Sequence, residues 1–109
     1  MIDLQPIGAA AKAAARVLMC TDTDTKNRAL AAMADALVRS GAEILAANRE
    51  DLAAGEQSGL TPALLDRLAL TEARIAGMAD GMRQVAALPD PVGRVLSETV
   101  RPNGLHLTK

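Results

Sequence analysis

Residues 65–93, LDRLALTEARIAGMADGMRQVAALPDPVG, decide how this chain is read. Thr71 is a helix N-cap, because its hydroxyl can accept a hydrogen bond from one of the first backbone N–H groups, which have no partner within the helix. Glu72 follows at the positive end of the helix dipole. Ile75, Met78, Ala79, Met82 and Val85 then recur at helical spacing and form an apolar stripe. Pro89 and Pro91 stop the helix, since neither can donate a helical hydrogen bond. Beyond Gly93 the apolar period shortens toward alternation. Val95 and Leu96 alternate poorly, but Leu105-His106-Leu107 alternates clearly, and Arg101-Pro102-Asn103-Gly104 between them reads as a turn.

Working back from this stretch, Thr61-Pro62 is a helix start, a capping hydroxyl followed by proline at the first helical position. The short helix it opens carries Leu64, Leu65 and Leu68. Upstream, Leu30, Met33, Ala34, Leu37 and Val38 give the most regular helical stripe in the chain. Asp35 and Arg39 are spaced to pair on its outer face, a contact worth a few tenths of a kcal/mol. In the run Thr21-Asp22-Thr23-Asp24-Thr25 one of Asp22 or Thr23 caps this helix, and Ser40-Gly41 ends it. Ile44, Leu45 and Leu52 support a third helical stretch to about Glu56, stopped by Ser58-Gly59. Asn48 falls on the apolar face of that stretch. It either caps a restarted helix or hydrogen-bonds a segment packed against the face, and the cap is the favoured reading. Nearest the N-terminus, Ile7, Ala10, Ala11, Ala14 and Leu18 recur at helical spacing, with Lys12 and Arg16 off that face. The expected fold class is mainly α, about five helical segments and a C-terminal β-hairpin. Residues 1–92 form the helical region and residues 93–109 the hairpin.

The composition limits what such a fold can bury. Half of the 109 residues are apolar, yet 23 are alanine and none is Phe, Trp or Tyr. Aromatic side chains normally supply much of a core's buried area. The core is therefore expected to be thin, and the chain suited to lying against another surface. Twelve basic and thirteen acidic residues leave a net charge of −1. Without a basic face or aromatic stacking platforms, nucleic-acid binding is excluded. The single cysteine allows no internal disulfide, and neither a secretory signal nor a membrane-spanning run is visible, so the expected compartment is the cytoplasm.

Residues that could carry chemistry are few. Cys20, the one thiol, stands at a helix C-terminal end, where the dipole disfavours a thiolate, and is read as a packed or inert side chain. His106, the one imidazole, has no second ligand at metal spacing and is read as a solvated or paired strand residue. Asp22 and Asp24 are read as capping residues and Asp90 as part of a Pro-Asp-Pro turn. There is neither a Gly-x-Gly-x-x-Gly nor a Walker sequence. Gly77 and Gly81, four apart on one helix, suggest close approach of a neighbouring element in a fuller fold. No catalytic, cofactor-binding or metal-binding residue is expected in this chain.

Several blocks of the sequence resemble the N-terminal region of the γ-glutamyl phosphate reductase family, within the aldehyde dehydrogenase superfamily. They are Ile7-Gly8-Ala9-Ala10-Ala11-Lys12, Lys26-Asn27-Arg28 and Ile44-Leu45-Ala46-Ala47-Asn48 with Asp51. Leu65-Asp66-Arg67-Leu68-Ala69-Leu70-Thr71 with Arg74 follows, then Arg83-Gln84-Val85 and Leu88-Pro89-Asp90-Pro91-Val92-Gly93. The resemblance covers essentially the whole chain but only the opening portion of the family's. It implies an NADPH-dependent reduction of γ-glutamyl phosphate to glutamate-5-semialdehyde and phosphate, in proline biosynthesis, through a cysteine-bound acyl intermediate. It also implies that the nucleotide-binding βαβ units and the nucleophile lie outside this chain, which would then bind no NADPH and be inactive alone. Its partner would be the remainder of the same enzyme, with a homo-oligomer among the assemblies the resemblance allows. A stand-alone, non-catalytic helical interaction domain is the other class of function that the sequence allows.

Overall fold

The computed structural model describes all residues, 1–109. In chain order the elements are α1 (Gln5–Met19), α2 (Thr23–Arg39), α3 (Gly41–Gln57), α4 (Pro62–Leu68), α5 (Glu72–Ala87), β1 (Glu98–Val100) and β2 (His106–Thr108). The mainly helical class with a terminal hairpin is as expected. The elements fall into two units, Thr21–Leu88 and a second that combines Met1–Cys20 with Pro89–Lys109.

In the unit Thr21–Leu88, local chemistry sets each helix boundary. The Asp22 carboxylate accepts from the Thr25 N–H at 2.7 Å and caps α2. Thr61 and Thr71 do the same for α4 and α5, accepting from Leu64 N–H (3.3 Å) and Arg74 N–H (3.1 Å). Helix α2 passes to α3 through Ser40 alone. Helix α3 ends in a Schellman motif: Gly59 adopts φ +84°, its N–H donates to Glu56 O (3.1 Å), and Leu60 N–H donates to Gly55 O (3.0 Å). The hydrophobic contact that usually accompanies this motif is present, because the Leu60 side chain lies directly over Gly55.

The principal packing in this unit is α2 against α5, with α3 touching α2, α4 and α5. Its centre consists of Ala34 on α2 and Ile75 and Ala79 on α5, the chain's buried hydrophobic residues. This differs in detail from the stripe expected on α2. Leu30 and Leu37 are half-buried and Met33 and Val38 are exposed. Alanine at Ala34 and Ala79 lets the helix backbones approach closely, so the larger side chains flank the contact instead of filling it. The expected Asp35–Arg39 pair is replaced by a bridge between helices. Asp35 accepts from Arg83 of α5 at 3.1 Å, and Arg83 also reaches Asp80 at 3.0 Å. These carboxylates raise the guanidinium pKa above its already high value.

In the other unit, α1 buries none of its side chains. The strands pair antiparallel in the register Glu98↔Thr108, Thr99↔Leu107 and Val100↔His106, and every strand residue is exposed. The Arg101 carbonyl accepts from Gly104 N–H (2.9 Å) and Arg101 N–H donates to Leu105 O (2.8 Å), closing the turn. Pro102 stands at the second turn position, which suits its fixed φ, and Gly104 takes φ +84°. No helix is long and apolar enough to cross a membrane.

Candidate functional site

The densest polar constellation surrounds the link between α4 and α5. Asn48, in the middle of α3 and only 7% exposed, donates from Nδ2 to Leu68 O (2.8 Å) and accepts at Oδ1 from Leu70 N–H (2.8 Å). The favoured reading of Asn48 as a cap is therefore wrong. Helix α3 runs through it without interruption, and the amide instead pairs a donor and an acceptor of a segment packed on α3. A side chain with both functions on one planar group suits this job, since Leu68 and Leu70 present one carbonyl and one N–H outside the helical ladder.

Arg74, on the first turn of α5, grips the same link from the other side. Its Nη1 donates to the carbonyls of Asp66 and Ala69, and its Nη2 meets the Asp66 carboxylate at 3.3 Å. A cation against the last carbonyls of α4 satisfies acceptors that the helix leaves free and opposes the negative end of its dipole. Leu65, Leu68, Ala69 and Leu70 are half-buried beneath this polar frame. The constellation thus fixes the path of residues 66–71. It contains no nucleophile and no acid–base pair.

The other candidates stay apart from it. Cys20 is exposed, with a free thiol, at the C-cap of α1. His106 Nδ1 lies 3.6 Å from Glu98 Oε1 on the exposed hairpin, a pairing strand residue. Asp90 Oδ1 accepts from Val92 N–H (3.0 Å), as a turn residue should. No group of three or more His, Cys, Asp or Glu residues is placed to hold a metal ion. A Cβ built at Gly77 or Gly81 would meet nothing within 4 Å, so no neighbouring element within this chain approaches them. Sequence reasoning missed Gly55, which is buried and where a Cβ would stand 2.7 Å from Leu60 Cδ1. The signal was its position five residues before Leu60, the spacing of a Schellman contact.

The blocks that carry the family resemblance converge here, since Asn48, Asp66, Leu68, Ala69, Leu70 and Arg74 build the frame. No protein-family model matches the chain. Curated relatives do. The chain is 60% identical over 100 residues to γ-glutamyl phosphate reductase of Syntrophomonas wolfei, a match spanning 92% of this chain and 24% of the relative. It is 50% identical over 103 residues to the reductase of Brucella anthropi, spanning 94% of this chain and again 24% of the relative. This chain is similar to the N-terminal portion of γ-glutamyl phosphate reductase. The fold agrees: the crystal structure of γ-glutamyl phosphate reductase from Thermotoga maritima superposes with a TM-score of 0.81 at 39% identity, over 85% of this chain and 22% of that one. The chain spans about a quarter of the length of the curated reductases it matches.

Proposed function

We propose that the chain forms the N-terminal portion of a cytoplasmic, NADPH-dependent reductase that converts γ-glutamyl phosphate to glutamate-5-semialdehyde and phosphate in proline biosynthesis. Its role there is structural. Residues 1–92 supply a helical support, and residues 93–109 lead into the dinucleotide-binding domain. The observation that carries this reading is the 60% identity to the Syntrophomonas wolfei reductase across 92% of the chain.

The residues of this chain do not fit NADPH. A dinucleotide pyrophosphate is held by a glycine-rich turn between a parallel strand and a helix N-terminus, whereas the strands here form an antiparallel hairpin. Helices α2, α3 and α5 carry Asp24, Glu43 and Glu72 in their first turns, charges that repel phosphate. The reaction and its nucleophile accordingly belong to the rest of the enzyme, and the chain alone is inactive.

The test has two arms. The isolated chain, assayed by NADPH oxidation with γ-glutamyl phosphate, should show no turnover. A chimera in which it replaces the matching N-terminal portion of the Syntrophomonas wolfei reductase should turn over. Turnover by the isolated chain that disappears in Cys20→Ser would overturn the assignment. So would a soluble, folded chimera that is inactive beside an active parent enzyme.

A further inference from the structure

We propose that Asn103 is a site of spontaneous covalent modification, converting through a cyclic imide to aspartate and isoaspartate, and that the isoaspartate product unlocks the β1–β2 hairpin. Of the three asparagines, Asn27, Asn48 and Asn103, only Asn103 precedes a glycine. Cyclisation needs the backbone nitrogen of the next residue to reach the side-chain carbonyl carbon, and a following Cβ obstructs that approach. Gly104 has no Cβ, and one built there would meet nothing within 4 Å, so the surroundings are open as well. Both residues are exposed.

The turn also prepares the electrophile. Asn103 Oδ1 accepts from Leu105 N–H at 3.1 Å, which folds the side-chain amide back along the peptide to Gly104. That same N–H polarises the carbonyl and sits on the oxygen that gains negative charge when the nitrogen attacks. One contact opposes the reaction: Gly104 N–H donates to Arg101 O at 2.9 Å. Releasing it requires only local opening of a hairpin whose strands are three residues each and fully exposed, and such hairpins are marginal in water. The other two asparagines are held differently. Asn48 has both amide atoms engaged and is buried, and Asn27 lies inside α2, followed by the side chain of Arg28.

The chemistry balances with water as the one co-reactant. Gly104 N, having lost its proton to hydroxide, bonds to Asn103 Cγ. The Cγ–Nδ2 bond breaks, and the nitrogen leaves as ammonia with a proton from water. Water then adds to either carbonyl of the imide. Opening at Cγ gives aspartate. Opening at the backbone carbonyl leaves Gly104 linked through Cγ, which is isoaspartate. Nothing is oxidised or reduced. Isoaspartate inserts a methylene into the main chain between Pro102 and Gly104. Gly104 N–H then no longer meets Arg101 O, nor does the side chain meet Leu105 N–H, and the pairing of Val100 with His106 loses the turn that fixes it.

The full 109-residue chain, held folded at neutral and mildly alkaline pH, is followed by peptide mapping with mass spectrometry and an isoaspartate-specific methyltransferase. The expected result is replacement of NH2 by OH confined to the peptide containing Asn103, with isoaspartate among the products and a rate that rises with pH. Gly104→Ala should slow conversion roughly tenfold or more, through the obstructing Cβ. Because alanine at positive φ loosens the turn, slower conversion in this variant reports the chemistry and not a tighter fold. Purified isoaspartate chain should show faster amide exchange at Arg101 and Lys109, whose N–H groups donate across the hairpin to Leu105 O and Ser97 O. Asn103 remaining intact in the folded chain while the urea-unfolded chain converts would overturn the site. Equal conversion at Asn27 and Asn48 would do the same. Unchanged exchange at Arg101 and Lys109 in the product would overturn the unlocking.

Discussion

At the scale of single residues, the stability of the helical unit turns on a few polar side chains with defined tasks. Asn48 is the most exacting, since its amide answers one carbonyl and one N–H of the α4–α5 link. Replacing it with alanine leaves both part-buried groups without a partner, a loss of about 1–3 kcal/mol. Asn48→Asp is expected to be worse than isosteric substitution usually is, because a carboxylate can still accept from Leu70 N–H but turns an oxygen toward Leu68 O. Urea unfolding of the two variants checks this, and an unchanged midpoint for both would show that the link is held by its leucines alone. Asp22 supplies a second residue-scale test. Its hydrogen bond from Thr25 lowers the carboxyl pKa below the usual aspartate value of 3.8. A group whose folded pKa is depressed contributes stability above its unfolded pKa and loses it as pH falls through the folded value. The α2 cap should therefore be fully effective at pH 5 and above and weaken only below about pH 4, and Asp22→Asn should flatten that part of the acid titration. A carboxyl midpoint for Asp22 at or above the ordinary aspartate value, by NMR titration, would contradict the capped geometry.

At the scale of elements, the α2–α5 contact is set by what is small. Ala34 and Ala79 are completely buried, and Ile75 is 3% exposed. A larger side chain at Ala79 must push the helices apart, so Ala79→Leu should destabilise the chain by about 1–3 kcal/mol despite adding apolar surface. Thermal unfolding followed by circular dichroism reads this directly. A variant with an unchanged or raised Tm would mean that the two helices pack loosely there. The periodicity of α2 and α5 was plain from their sequences, as were the caps at Thr61 and Thr71 and the stop at Ser58-Gly59, while the α2 cap was narrowed to Asp22 or Thr23. Those features depend on neighbours a few residues away. The partner of Asp35 was not legible in the same way: an i, i+4 arginine is visible in the sequence, but the competing Arg83 lies 48 residues further on and reaches Asp35 only when α5 packs on α2.

For the whole molecule, the thin core expected from an alanine-rich, aromatic-free composition is what the structure contains. Large apolar side chains remain exposed, Ile7 and Leu18 on α1 and Met78 and Val85 on α5 among them. The hairpin adds strand edges with unpaired backbone groups, flanked by exposed Val95, Val100, Leu105 and Leu107. The isolated chain should accordingly exchange its hairpin amides fastest when dilute and associate as concentration rises. Sedimentation velocity with amide exchange at two widely separated concentrations checks both. Slow exchange across residues 105–109 in a proven monomer would show that this edge is already covered.

The sequence by itself determined the helical class, most helix boundaries and the hairpin, and it carried the likeness to γ-glutamyl phosphate reductase. Capping, proline stops and apolar period are local properties, written in neighbouring residues. Only the tertiary structure decided that Asn48 clamps a distant link instead of capping a helix. It also moved the centre of the core from the leucines of α2 to Ala34, Ile75 and Ala79, and exchanged the partner of Asp35. Each of these depends on which surfaces meet across long stretches of chain. Several partners within hydrogen-bonding reach in sequence compete there, and packing selects the one that satisfies the most buried groups.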